Sequence, residues 1–378
     1  MSEKPTIGSL EEYFGDLPDQ RVAGRCDYRL IDLVVMAICA SISGAESWVE
    51  VEAFAETQRE WLSQFMPIGN RVPSHDTFGR VFALLDAQSF HQRFAAWIKA
   101  VFEKTAGEVI AIDGKTARRS HHKGIGKEAL HTVSAWACGN EIVLGQVATD
   151  SKSNEITAIP ELLQLLNVAG CIVTIDAMGT QKKIAQQIRQ QEADYVLALK
   201  DNQGRLYQMA RDVFAYGDQI GFARLDMQSH QTVNKAHGRI EIRRCQALHD
   251  ETLLASFRAE GWTDLSSLVR LQRERRFADH VETETVYYIS SLPNDAAKLL
   301  SATRSHWAVE NQLHWVLDVI FREDDSRIRI GNGAENMAVL RHISLNILKL
   351  DPSKGSIRVK RYRAALNTSF LETLLAHV

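Results

Sequence analysis

The stretch Glu108-Val109-Ile110-Ala111-Ile112-Asp113-Gly114-Lys115 decides the fold. A short apolar run ending in a carboxylate reads as a buried strand that delivers an acid to the edge of a sheet. The pattern returns at Cys171-Ile172-Val173-Thr174-Ile175-Asp176, followed by Ala177-Met178-Gly179. Either aspartate alone is a common turn residue that caps the strand end. Two such strands side by side bring two carboxylates together, which repel and raise each other's pKa unless a cation lies between them. Hard oxygen ligands suit Mg²⁺ or Mn²⁺.

Outward from these strands, residues 108–200 alternate strand and helix. Candidate strands Thr132–Cys138 and Ile142–Thr149 are joined at the turn dipeptide Gly139-Asn140. A helix through Ile156, Ile159, Leu162, Leu163 and Leu166 leads to the Asp176 strand. Lys182–Gln191 reads as a helix and Tyr195–Leu199 as a fifth strand. Three strands, helix, strand, helix, strand is a mixed α/β order, unlike a doubly wound sheet.

Upstream, residues 9–104 read as helical, with Ser47, Ser74 and Ser89 as N-caps and Leu33–Ala45 as a buried segment too short to span a membrane. These helices suit either a DNA-reading bundle or a structural cap. Downstream, alternation around Ile240–Ile242 and Val281–Ile289 marks a β-rich insertion over 205–294. Helices follow at 295–321 and at about Glu335–Lys349. The expected divisions are a helical domain 1–104, a first core part 105–204, the insertion 205–294, a helical core end 295–350 and a basic tail 351–378.

The 378 residues carry a net charge of −3, so a nucleic-acid partner must be held by local patches. Lys115, Arg118, Arg119, Lys123 and Lys127 form an acid-free run. Arg270, Arg273, Arg275 and Arg276 form a second cluster, and Lys354, Arg358, Lys360, Arg361 and Arg363 a third. Five scattered cysteines without a CxxC pair fit a reduced, cytoplasmic protein, and Met1–Pro5 lacks the features of a signal peptide.

A third acid stands in Arg304-Ser305-His306-Trp307-Ala308-Val309-Glu310-Asn311-Gln312-Leu313-His314-Trp315. On a regular helix His306, Glu310 and His314 share a face, a spacing also met in zinc and di-iron helices. Neither a second Glu-x-x-His nor another ligand cluster accompanies it. Sequence leaves Asp318, Glu323 and Asp324 as rival third acids. Trp307, at helical spacing with Leu313 and Trp315, reads as core, with base stacking as the functional alternative.

Together these motifs resemble the H-repeat-associated transposases, a branch of the bacterial insertion-sequence DDE transposases. The matching stretches are Ala111–Lys115, Asp176–Gln181, Ala198–Gln203, His306–Asn311, Leu317–Asp324 and Pro73–Arg80. The resemblance spans nearly the whole chain. It implies an RNase H-like mixed-sheet core with a β-rich insertion, preceded by an α-helical domain. It implies Asp113, Asp176 and Glu310 as a catalytic, metal-binding triad. Asp113 would contact both of two Mg²⁺ ions (Mn²⁺ as the alternative), which activate the attacking oxygen and stabilise the leaving one. Water would nick the element end, and the freed 3′-hydroxyl would then join it to target DNA. The DNA contacts implied are Lys115, Arg118, Arg119, Lys200, Asn202, Gln203, Arg304, His306 and Trp307. The partners implied are double-stranded element ends and target, with a homo-oligomer assembling on DNA and no membrane. One departure stands out. The superfamily's Tyr, Arg and Lys around the glutamate are replaced here by Thr303, His306 and Leu317. A nuclease of the same fold and a silent DNA-binding relic are the competing functions.

Overall fold

The computed structural model describes residues 8–22, 24–101, 107–121, 126, 128–149, 155–223, 225–236 and 238–376. The start of the chain, Lys123 and Lys127 lie outside them. Nine strands form one mixed sheet in the order β3-β2-β1-β4-β5-β9-β8-β7-β6. The first five are β1 (Val109–Thr116), β2 (His131–Ala137), β3 (Ile142–Thr149), β4 (Ile172–Ile175) and β5 (Asp194–Leu199). β1, β4 and β5 run parallel, while β1, β2 and β3 form an antiparallel meander. This is the mixed α/β order expected of an RNase H-like core. The hairpin turn between β2 and β3 is held by Glu108, whose carboxylate accepts from the Gly139 N–H at 2.6 Å and the Asn140 side chain at 2.7 Å. The left-handed residue of that turn is Glu141, not Gly139 or Asn140.

The insertion differs from its expected form in two ways. It opens with a helix, and its strands extend the core sheet. After α7 (Glu155–Leu165) and α8 (Lys182–Gln190) comes α9 (Gly204–Ile220), then β6 (Asp226–Ala236), β7 (Arg239–His249), α10 (Glu251–Ala259), β8 (Ser267–Arg276) and β9 (Val281–Ser290). β9 pairs antiparallel with β5, Leu197 opposite Ile289, so the insertion continues the sheet beside the core strands. Period-2 alternation reveals a half-buried strand, but not which edge it joins.

The sheet buries both faces, and the chain divides its apolar residues between them. On one face Ile172, Val196, Val269 and Leu271 pack on Leu299, Leu300 and Ala302 of α11 (Ala296–His306). The other face and the N-terminal helices share the larger core. Those helices are α1 (Gly8–Phe14), α2 (Leu30–Ile42), α3 (Trp48–Thr57), α4 (Arg59–Leu62), α5 (His75–Leu84) and α6 (Ala87–Val101). All of α2 is buried, as its apolar run from Leu33 to Ala40 requires, and Asp32 is buried against Arg29. Ser47 makes a full capping box with Glu50, and Ser74 caps α5. The cap expected at Ser89 belongs instead to Asp86, whose carboxylate accepts from the Ser89 N–H at 2.7 Å. The helix therefore starts at Ala87. α6 packs on β3, and α2 on α13 (Gly333–Leu350), so these helices are joined to the sheet by apolar contact.

In two of the basic clusters the buried cations are structural. In β8 the Arg270 guanidinium is buried and grips both Asp218 oxygens at 2.7 Å, and Arg273 is buried against Glu284. The tail folds into α14 (Ile357–Leu366) and α15 (Thr368–Ala376). Lys360 is buried, donating to the Asp351 and Leu348 carbonyls. Arg361 donates to the Ile320 carbonyl and, at 3.0 Å, to that of Ser41, and lies over the Phe321 ring. These side chains satisfy helix ends and carbonyls, which a count of cations in sequence does not show. No helix among the described residues is long and apolar enough to cross a membrane.

β3 is an edge strand, and Asn346 of α13 covers it. Its amide accepts from the Val143 N–H at 2.9 Å and donates to the Val143 carbonyl at 2.8 Å, as a further strand would. Asn346→Leu strands both buried backbone groups. Stability measured by urea denaturation is expected to fall by about 2–4 kcal/mol, since each orphaned group costs roughly 1–3 kcal/mol.

Candidate active site

The register of β1 on β4 builds the site. Ile112 lies opposite Ile175, so the next residues of two parallel strands are Asp113 and Asp176. Val109, two turns of the pleat before Asp113, packs into the core under α11, as does Ile172 before Asp176. Side chains two apart share a face, so both aspartates look toward α11. Each also does the ordinary work of a turn residue. Asp113 Oδ1 accepts from the Gly114 N–H at 2.9 Å, and Asp176 Oδ1 from those of Met178 at 3.0 Å and Gly179 at 3.3 Å. The capping and site roles thus coexist in the same carboxylates.

On the opposite face of β1, Gly114 makes room for a buried dyad. A Cβ there would stand 2.3 Å from Glu155 Oε1. That oxygen lies 2.7 Å from His131 Nε2, and His131 Nδ1 lies 2.7 Å from the Thr116 hydroxyl. Neither His131 nor Glu155 stood out in the sequence, because each is a single polar residue beside an apolar run. The glycine after Asp113 was the available signal.

The third acid arrives on an irregular helix. α11 ends at His306, a π-helical turn covers Val309–His314, and α12 (Trp315–Val319) follows. π-turns recur at functional sites because they re-aim side chains without ending the helix. The three polar residues take different partners around it. His306 is tied to the Thr174 hydroxyl at 3.0 Å, and burial pushes its imidazole down to about 4. His314 instead faces the acids, with Nδ1 3.3 Å from Glu310 Oε2 and 3.7 Å from Asp113 Oδ2. Ligand atoms of Asp113, Glu310 and His314 lie within 4.8 Å of one another. Asp113, Asp176, Lys200, His306, Trp307 and Glu310 line one cavity of about 400 Å³.

The rival acids are engaged elsewhere. The Lys115 ammonium stands 2.7 Å from Asp318, 2.8 Å from Glu323 and 3.5 Å from Asp324. With 9% of its surface exposed, Lys115 is not free to meet DNA phosphates, which corrects its expected role. Arg118 and Arg119 are exposed, paired at the surface with Asp324 and Asp325. Lys200 is exposed at the cavity, whereas Asn202 and Gln203 donate to the Ala177 and Thr180 carbonyls, fixing the loop that follows Asp176. Arg304 is exposed beside β7 and β8. Trp307 and Trp315 are half exposed, against the core reading, and the Arg273 guanidinium stacks 4.7 Å over Trp307. Of the residues at the superfamily's Tyr and Lys positions, Thr303 donates to the Leu300 carbonyl and Leu317 is buried.

The family model for the transposase DDE domain matches residues 104–347, and its associated N-terminal domain matches residues 11–98. The chain belongs to the DDE transposase family. It is 41% identical to "Putative transposase YncI" of Escherichia coli O157:H7, covering 98% of this chain and 95% of that one. It is 40% identical to "H repeat-associated putative transposase YhhI" of Escherichia coli K12, covering 98% of both. "Inactive transposase YbfQ" of the same strain is 42% identical over 75 residues, 20% of this chain and 89% of that one.

Members of the DDE transposase family use divalent metal and act on DNA. The residues of this transposase-family site fit such an ion. They offer hard carboxylate oxygens, and one of these acids is held in an unfavourable state without a cation. Burial pushes the Asp113 carboxyl up to about 6, the His314 imidazole and the Gly114 N–H opposing this and the Asp176 and Glu155 charges adding to it. A raised pKa means that the folded chain prefers the proton. Without metal, this group's contribution to stability is therefore present at low pH and lost as pH rises from about 4 through 6. A cation replaces that proton. Mn²⁺ affinity, measured by titration calorimetry, is accordingly expected to rise about tenfold per pH unit up to roughly pH 6 and then level off.

Proposed function

We propose that the protein is an active DNA transposase that cuts the ends of an insertion-sequence-like element and joins them to target DNA. One observation carries this reading. Asp113 and Asp176 follow paired residues of adjacent parallel strands, and the π-turn brings Glu310 into the same cavity. The proposed metal ligands are Asp113, Asp176 and Glu310, with Mg²⁺ as the ion and Mn²⁺ as a substitute. Bound there, the ions would activate the attacking oxygen and stabilise the leaving one.

The chain's own residues supply alignment and charge. Asp113 and Asp176 are fixed by backbone N–H groups, so their free oxygens are aimed before substrate arrives. His314 links Glu310 to Asp113. Lys200 stands at the cavity mouth as a cation for a phosphate flanking the reacting one. Arg118, Arg119 and Arg304 extend the positive surface, Trp307 offers an exposed ring for stacking, and His306 is held on the cavity wall. We propose double-stranded element ends and target as the substrates, with two or more copies assembling on them.

Glu310→Gln preserves shape and removes charge. It is expected to abolish cleavage and joining of labelled ends in Mg²⁺, leaving circular dichroism and DNA affinity near wild type. Normal turnover by this variant, with Asp318→Asn dead, would overturn the assignment. Cleavage by the wild type without joining would indicate a nuclease, and metal binding with no turnover on its own element ends a silent relic.

Arg118 and Arg119 are proposed to contact phosphates, not bases. Replacing both by Ala should weaken binding about equally across sequences and lower the salt slope by about 2, one per phosphate contact. A selective loss at one base position with an unchanged slope would refute it.

A further inference from the structure

Lys115 and Asp318 answer a question that the metal ligands leave open, namely what holds Glu310 over the sheet. The Glu310 side chain is 63% exposed, and its carboxylate stands 3.3 Å from His314 Nδ1. The outer face of this helix is bare, with Trp307, Trp315 and Val319 each about half exposed. The inner face packs on the core through Val309, Leu313, Val316 and Leu317, and apolar contact of this kind is non-directional and does not by itself set the register of a helix along a strand.

The spacing of strand and helix supplies a second rung. Asp113 and Lys115 are two apart on β1, so they share a face and stand about 6.7 Å apart along the strand. His314 and Asp318 are four apart, about 6 Å along a helix. The two rises match. His314 stands over Asp113 at 3.7 Å, and Asp318 over Lys115 at 2.7 Å. A shift of one helical residue would break both rungs together. The second rung is anchored from behind. Lys115 also binds Glu323, and Glu323 binds Arg341 of α13 at 3.6 Å, all three buried. Burial alone would raise the Glu323 carboxyl, but the Lys115 and Arg341 charges hold it at about 2. Lys115 is therefore a fixed cation with one face turned to Asp318.

We propose that Lys115 and Asp318 are a positioning pair that sets the register of the Glu310 helix on the Asp113 strand, and so assembles the metal site. The proposal rests on Asp113, Asp176 and Glu310 being the metal ligands. It gives Lys115 a role two residues from the first acid that needs no contact with DNA.

Asp318→Asn is the direct test, because it removes the helix's rung and leaves the Lys115–Glu323–Arg341 group intact. Metal-free full-length protein is titrated with Mn²⁺ by calorimetry, beside wild type and Glu310→Gln, and thermal midpoints are recorded for each. Asp318→Asn is expected to weaken Mn²⁺ binding about tenfold or more, within the range for residues that orient ligands, with its midpoint close to wild type. In end cleavage its kcat should fall while KM for DNA holds. Asp318→Glu, which restores a carboxylate, should recover much of the affinity. Wild-type Mn²⁺ affinity in Asp318→Asn, with Glu310→Gln impaired, overturns the positioning role and leaves the site reading standing. A lowered midpoint with unchanged Mn²⁺ affinity makes the pair a stabilising contact only, and also overturns it. Unimpaired Mn²⁺ binding by Glu310→Gln removes the site reading itself, and the positioning role with it.

Discussion

The pairing of β1 with β4 is the constraint on which the site depends. Parallel pairing with Ile112 opposite Ile175 makes the next residue on each strand an aspartate, and no turn or loop intervenes to blur their separation. That arrangement costs free energy unless a cation balances it. A partly buried carboxylate beside a second one disfavours ionisation, which is why the Asp113 carboxyl is pushed up to about 6. The surrounding apolar packing has to outweigh this, and the residues beneath do so. Ile110, Ala111, Ile112, Val173 and Ile175 are all but fully buried. The same packing that destabilises the charge fixes its position, and a cation converts the penalty into affinity.

The insertion then reads as an architectural device. A separate domain at this point in the chain would have left β5 as an exposed edge. Pairing β9 with β5 instead carries the sheet onward by four strands, and α11 lies across the join, packed on strands from both halves. Glu310 follows α11 directly. The long sequence distance between the second and third acids is thus closed by a helix that rests on the core and the insertion at once.

How much of this was legible in the sequence follows from what each pattern encodes. Apolar runs and turn dipeptides mark strands, and β3 and the strand before Asp176 lie where those signals put them. The apolar run Leu33–Ala40 announces the burial of α2. What was hidden is relational. Arg361 reads as one cation of a basic tail, yet it binds two carbonyls far away in sequence. The Lys115 ammonium reads as a DNA contact, yet three carboxylates from α12 and the turn after it surround it. Periodicity cannot show such pairs, because the partners come from other elements. The π-turn was hidden for another reason. His306, Glu310 and His314 are evenly spaced, so only the altered backbone hydrogen bonding shows the turn, and only the fold shows that His306 takes Thr174 as its partner.

The buried charges therefore divide into two kinds by whether their partners are complete. Lys115 and Arg341 are balanced by Glu323 and Asp318, two cations against two carboxylates, and such groups serve position more than stability, since apolar residues of equal size would cost less to bury. Asp113 has no such balance. The His314 imidazole stands 3.7 Å away, too far for a hydrogen bond. In the proposed site, the buried ammonium of Lys115 is matched by carboxylates, whereas Asp113, two residues away on the same strand, is the acid that a cation would balance.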